Sequence, residues 1–197
     1  PKFKKKINKQ SFQIPQATKA DFELNRIFIP KFREGIKTKF HRKFEGKIKT
    51  CTISKNPSDQ YHVSILVDNE KELPIKSVPN YDEAIGTDLG LKDFAILSNK
   101  TKIANPKFLK KSLKKLKRQQ RKLSRKVKGS NNRNKQRLVV AKLHQKVSNQ
   151  RNDFLHKLSS KLISENQTIC LEDLNVKGMV KNHKLALSIS DASWSSF

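Results

Sequence analysis

Two short apolar runs, each carrying a carboxylate near its end, flank a long basic segment most of which holds no acidic residue. This arrangement limits the fold more than any other feature of the chain. The first run is Ala84-Ile85-Gly86-Thr87-Asp88-Leu89-Gly90, the second Gln167-Thr168-Ile169-Cys170-Leu171-Glu172-Asp173. Side chains alternate along a strand, so Gly86, Asp88 and Gly90 share one face and Ile85, Thr87 and Leu89 the other. On the later run Cys170 and Glu172 share a face. Strands joined by a helical crossover can pair in parallel, and adjacent parallel strands bring Asp88 and Glu172 together. Gly86 and Gly90 then leave room for a metal and a phosphate. Carboxylates and water are the hard oxygen ligands that Mg²⁺ or Mn²⁺ prefers. A plainer reading stays open at this point: Asp88 starts a turn, and Glu172 caps a helix beginning near Leu174.

The intervening segment reads as two helices. Leu109, Leu113, Leu116, Leu123 and Val127 recur at helical spacing, Gly129 ends the run, and Ser130, Asn131 or Asn132 can cap the next helix. That second helix carries Val140, Leu143, Val147, Phe154, Leu158 and Leu162 on its buried stripe and runs to about Glu165. From Phe94 through Asn152 Asp and Glu are absent. Solvated helices normally mix signs to form i,i+4 pairs, whereas here the repulsion goes uncompensated. Phosphates supply the missing counter-charge if Lys110, Lys114, Lys117, Arg118, Arg121, Arg125 and Arg133 face a nucleic acid. The net charge of +27 over 197 residues points the same way, toward a polyanionic partner. Nothing is apolar for long enough to span a bilayer, and Pro1-Lys2-Phe3-Lys4-Lys5-Lys6 lacks the apolar stretch of a secretory signal. Cys51 and Cys170 belong to no Cys-x-x-Cys pair, which suits reduced thiols and excludes a cysteine zinc site in these residues.

The N-terminal part reads as β-rich. Ile48–Ser54 and Tyr61–Val67 alternate as strands around Asn56-Pro57-Ser58-Asp59, a turn sequence, and Arg26–Ile29 is a further strand stopped by Pro30. Lys37 to Phe44 interleaves cations and rings. As a strand it points Phe40 and Arg42 one way and Lys39, His41 and Lys43 the other, a face suited to RNA or simply a solvated edge. Pro74 and Pro79 bracket a polar link. Beyond it, Ile85–Gly90, Phe94–Leu97 and Thr101–Ala104 predict a meander.

Gly86-Thr87-Asp88-Leu89-Gly90-Leu91-Lys92-Asp93-Phe94 resembles the first RuvC motif of TnpB, the OrfB-type "transposase" of bacterial insertion sequences. Leu171-Glu172-Asp173-Leu174-Asn175-Val176-Lys177-Gly178-Met179 resembles the second. Similar in order are Lys128-Gly129-Ser130-Asn131-Asn132-Arg133, the run from Arg151 to Ser159, and Ser193-Trp194-Ser195-Ser196-Phe197. Ile29-Pro30-Lys31 and the upstream hairpin resemble the family's wedge domain more weakly. The resemblance covers nearly the whole chain.

It implies an α+β or α/β protein: a β-barrel (wedge-like) remnant over 1–80, then an RNase H-like (RuvC) domain over 81–197 with an inserted basic helical hairpin over 106–165. It further implies a transposon-encoded, RNA-guided DNA endonuclease related to type V CRISPR nucleases and associated with transposition and DNA recombination. Asp88 and Glu172 match its catalytic, metal-holding positions. Mg²⁺ or Mn²⁺, DNA, a guide RNA and the bacterial cytoplasm and nucleoid go with that reading. Family members continue into a zinc ribbon and a third catalytic Asp, and both lie beyond Phe197 in the family pattern. Zinc is expected only there. The N-terminal part of the wedge domain and its recognition helices also lack counterparts, and Pro1 in place of Met fits a piece of something longer. The resemblance therefore leaves two alternatives, part of a nuclease or a shortened, non-catalytic RNA- or DNA-binding remnant. A structural RNA-binding protein of another kind explains the charge but not the two carboxylate strands.

The remaining polar and aromatic residues carry expectations of their own. Asp153 and His156 sit one turn apart and read either as a metal pair or as an exposed or capping pair at the base of the hairpin, and Asp173 supports Glu172 or caps the next helix. Asp191 is a turn or helix-capping residue. Trp194 and Phe197 are core aromatics after a segment buried through Leu185, Leu187 and Ile189. Lys181, His183 and Lys184 fit DNA contact and solvated loop equally.

Overall fold

The structure, a computed structural model, describes residues 10–72, 78, 80 and 83–197. The basic start from Pro1 to Lys6 and the bracketing Pro74 and Pro79 lie outside the described residues. The chain divides into two compact units, Pro1–Ile75 and Lys76–Phe197.

Among the described residues of the first unit there are six strands: β1 (Gln10–Ile14), β2 (Lys19–Asp21), β3 (Arg26–Ile29), β4 (Phe32–Lys37), β5 (Lys47–Lys55) and β6 (Tyr61–Asp68). They form two three-stranded antiparallel sheets, ordered β1-β5-β6 and β2-β3-β4. Among the described residues no barrel closes, in contrast to the expected barrel remnant; strand pairing stops within each sheet. The β5–β6 hairpin turns where the sequence predicts. Asn56 Oδ1 accepts from Ser58 N at 3.1 Å, Ser58 Oγ at 2.8 Å and Gln60 N at 3.0 Å, which folds the loop around one side-chain oxygen. Gly46 enters β5 at φ +114°, and a Cβ there would lie 2.2 Å from the Asp68 carbonyl oxygen, so only glycine fits.

Residues 38–46 are not a strand. Phe40 and Phe44 close edge-on against Phe22, at centroid distances of 4.9 and 5.0 Å. Ring burial against Phe22 wins over strand alternation, since three aromatic side chains gain more from mutual contact than an edge strand gains from pairing.

The second unit is a mixed α+β arrangement. β7 (Ala84–Leu89), β8 (Asp93–Leu97) and β9 (Lys102–Ala104) form the expected meander. Helices α1 (Phe108–Ser124) and α2 (Asn131–Glu165) follow, and β10 (Thr168–Leu171) then pairs in parallel with β7, giving the order β10-β7-β8-β9. Two short helices, α3 (Val176–Met179) and α4 (Ala186–Ala192), and a 3₁₀ turn at Trp194–Ser196 complete it.

The core joins β7 and β8 (Ile85, Phe94, Leu97) to the second half of α2 (Leu155, Leu158, Leu162) and to Ile189 and Trp194. Phe94 is fully buried and meets Phe154 and Phe197 edge-on at 5.1 and 5.4 Å. Trp194 and Phe197 thus serve the core. Leu185 and Leu187 stay exposed, however, because α4 turns only Ile189 and Ala192 inward among its aliphatic residues. Leu155, absent from the predicted stripe of α2, is buried beside Leu158. The helix here serves the sheet and α4 together, which widens its apolar face.

The helix ends show what the sequence pattern could not resolve. α1 stops at Ser124, and Val127, expected on its stripe, lies beyond it and is 76 % exposed. Gly129, at φ +85°, belongs to the connecting turn rather than the helix end. Ser130 Oγ accepts from Arg133 N at 3.2 Å and caps α2. α3 is capped by Asn175, whose Oδ1 accepts from Gly178 N at 3.0 Å. Neither Glu172 nor Asp173 performs that task.

Candidate carboxylate pocket and nucleic-acid interface

The carboxylate site begins with strand register. On β7, Ile85 and Thr87 are buried toward the helices, while Asp88 projects into solvent. The parallel ladder pairs Cys170 with Gly86 and Leu171 with Thr87, and Glu172 follows directly. Glu172 leaves β10 at the level where Asp88 ends the paired part of β7. Both carboxylates, with Gly86, Ser98 and Cys170, line one open depression of about 490 Å³. Ser98 Oγ accepts from Gly86 N at 3.2 Å and holds the floor of this pocket to the β8 side.

The two glycines differ in what they do. A Cβ on Gly86 would meet Ser98 at an ordinary 3.6 Å, whereas one on Gly90 would lie 2.9 Å from the Asp93 carbonyl oxygen. Gly90 therefore lets the β7–β8 turn close, and its small size serves the backbone rather than a ligand. Among the described residues no group of three or more His, Cys, Asp or Glu side chains is arranged to hold a metal ion. The pocket thus offers two carboxylates. Asp153 and His156 stand apart from it: Asp153 pairs with Lys157 at 2.8 Å on the exposed side of α2, and His156 is exposed.

Cys170 gives this pocket a chemical handle. It is exposed, while Cys51 is fully buried and burial pushes its thiol pKa up. Iodoacetamide should therefore modify Cys170 alone in the native chain and both thiols in denaturant, because the thiolate and its access decide reactivity. Intact-mass analysis of the two samples checks this, and native labelling of Cys51 would contradict the packing of β5.

The cationic surface lies on α1. Lys111, Lys114, Lys115, Lys117, Arg118, Arg121, Lys122 and Arg125 line one face and its shallow groove, opposite the stripe that buries Leu116. Lys110 is exposed in the first turn of the same helix. Arg133 differs from the other cations expected to meet nucleic acid. Its guanidinium donates to the Leu123 and Lys126 carbonyl oxygens at 2.9 and 2.8 Å, satisfying the open end of α1. In the first unit Lys39, His41 and Arg42 are exposed, and Phe40 is committed to Phe22.

Asp191 is the residue whose role the sequence left most open. It is 7 % exposed, and its Oδ1 and Oδ2 accept from the backbone N–H groups of Leu109 at 2.8 Å and Lys110 at 2.9 Å. Arg151 of α2 donates to the same carboxylate at 3.2 Å. It is a helix cap, as expected, but for a helix that begins some eighty residues upstream.

A family model described as "Probable transposase" (OrfB_IS605) matches residues 62–183. The chain belongs to this family. The match runs from β6 through α3 and contains both strands of the carboxylate pocket and both long helices. Among its relatives, a Streptomyces pristinaespiralis protein named "Putative RNA-guided DNA endonuclease" is 43 % identical over 145 residues. That alignment covers 74 % of this OrfB-family chain and 35 % of the relative. InsQ of Escherichia coli K12, named "Putative RNA-guided DNA endonuclease InsQ", is 35 % identical over 182 residues, 92 % of this chain and 44 % of the relative. The chain spans less than half the length of either curated relative. No helix among the described residues is long and apolar enough to cross a membrane.

Proposed function

We propose that this chain is a TnpB-type, transposon-encoded nucleic-acid-binding protein. On this reading its second unit is a RuvC-like (RNase H-like) module with α1 and α2 as an inserted basic hairpin. In the whole protein that module would cut DNA under the direction of a guide RNA. The relatives' names support the activity, and the bacterial nucleoid is the place it entails. The observation that carries the proposal is the parallel pairing of β7 and β10 together with one open pocket that Asp88 and Glu172 both line.

The donor set fits a divalent cation. Asp88 and Glu172 would hold Mg²⁺ or Mn²⁺ through hard carboxylate oxygens, with water completing the shell. Bound there, such an ion supplies Lewis acidity toward a phosphodiester. The chain's own residues do the rest. β7 and β10 hold the carboxylates on one face, and the cations of α1 bind the phosphate backbone without reading bases, because Lys and Arg meet phosphates wherever the sequence places them.

Two carboxylates also set a limit. A pair of ions held about 3.5–4 Å apart needs more anionic ligands than Asp88 and Glu172 provide. These 197 residues are therefore expected to bind DNA or RNA yet leave a guide-matched target uncut in Mg²⁺, which favours binding without cleavage as their own activity. A polypeptide that also supplies a third carboxylate should cut, and Asp88→Ala or Glu172→Ala should abolish cutting while affinity persists. The measurement is Mg²⁺-dependent cleavage by both polypeptides, assayed beside binding. Robust cutting by the 197 residues that vanished in Asp88→Ala would refute the two-carboxylate limit; failure of either to bind nucleic acid would refute the functional reading.

A further inference from the structure

α1 does not organise its own beginning. Lys107, at its N-cap, sits in the left-handed region at φ 50° and makes no side-chain capping hydrogen bond, and the first turn holds no acidic residue. A helix start leaves its first amides without partners, and a run of lysines behind it adds repulsion to that cost. The deficit is met from α4. Asp191 places one carboxylate oxygen on Leu109 N and the other on Lys110 N, and Arg151 of α2 balances its charge. A carboxylate at this position meets both the open N–H groups and the positive end of the helix dipole. One buried side chain thus ties together the start of α1, the middle of α2 and the short helix α4, which packs against α1.

We propose that Asp191 is the positioning residue of the basic helix, and that nucleic acid bound along α1 tightens the docking of α4 through it. This rests on the nucleic-acid reading above. The physical reason is reciprocity. If docked α4 favours the ordered first turn of α1, then a ligand that favours ordered α1 must favour docked α4 by the same factor. Lys110, Lys111, Lys114 and Lys115 lie in the first two turns of α1, so the cations nearest the cap depend on it most. The partner is a phosphate backbone, and α4 itself brings no cation to it.

The test uses the 197-residue chain, a short DNA duplex of arbitrary sequence, and amide hydrogen exchange at a temperature where every variant is folded. In Asp191→Ala, exchange at Leu109 and Lys110 is expected to rise about tenfold beyond any change common to the unit, the scale of removing one cap. Duplex affinity at fixed salt is expected to fall severalfold. Leu162→Ala, a core change away from the cap, should lower stability without either local effect, and Asp191→Asn should recover part of both. In the wild type, duplex should slow exchange in α4 as well as in α1. Wild-type affinity in Asp191→Ala, or duplex binding that protects α1 and leaves α4 exchange unchanged, would overturn the proposal. The wild-type measurement decides it even where Asp191→Ala does not fold. A wild type that binds no duplex would instead refute the nucleic-acid reading, while exchange at Leu109 and Lys110 in Asp191→Asn would still report whether the carboxylate organises α1.

Discussion

In a variant carrying Lys114→Gln, Lys117→Gln, Arg121→Gln and Arg125→Gln, the log–log dependence of duplex affinity on salt is expected to flatten by about 3.6, roughly 0.9 for each phosphate no longer neutralised. The wild-type slope should be steep, about −5 to −9, as for roughly six to ten neutralised phosphates. Between about 50 and 200 mM salt the wild type should therefore lose roughly a hundredfold more affinity than the variant. The effect is large because these four residues belong to one groove-lining face, so one bound backbone meets all of them. The same variant should melt no lower than the wild type. Lys114 and Arg118, Lys117 and Arg121, and Arg121 and Arg125 repel at i,i+4, and glutamine relieves that repulsion without breaking a helix. Salt titrations of a labelled duplex, paired with thermal melts, check both statements. An unchanged slope would move the binding surface off α1.

Phe94→Ala should be the most destabilising single change in the second unit, at about 3–5 kcal/mol. Phe94 is fully buried, and its ring stands edge-on to both Phe154 and Phe197. Removing it takes away its own burial, its edge-on packing against both rings and the volume between α2 and the chain's last residues. A loss of that size lowers the melting temperature by roughly 10–20 °C in a unit of this length. Trp194 is the sole tryptophan and lies in the same core, so its fluorescence follows this unit alone. Phe94→Leu keeps most of the volume and should cost far less. A Phe94→Ala variant that melted at the wild-type temperature would show that the aromatic junction does not hold the core.

Features written in local spacing were legible from the residues. The β5–β6 hairpin followed from two alternating runs around an Asn-Pro-Ser-Asp turn, because strand period and turn chemistry both act within a few residues. The helical segments followed from stripes of leucine and valine, and Ser130 was among the caps the sequence offered for α2. The helical crossover allowed β7 and β10 to pair in parallel, but that they are neighbours was decided by the fold. Asp88 and Glu172 line one pocket for that reason.

What the sequence could not supply is the partner of each side chain across long separations. Phe40 reads as part of an alternating basic face until Phe22 is found beside it. Arg133 counts among the phosphate-binding cations until the carbonyl oxygens of Leu123 and Lys126 claim it. Val127 continues a leucine stripe that the helix no longer follows, and Leu155 falls outside a stripe that must face two neighbours. Asp191 is the clearest case, because its capping oxygens and the amides of Leu109 and Lys110 meet only after β10, α3 and α4 have folded back to α1. Periodicity, charge and caps are local properties, so the chain by itself determined its elements and the strong positive charge on which the proposed binding of nucleic acid rests. Which carboxylate faces a pocket, and which one closes a helix, was decided by tertiary packing that no local pattern encodes.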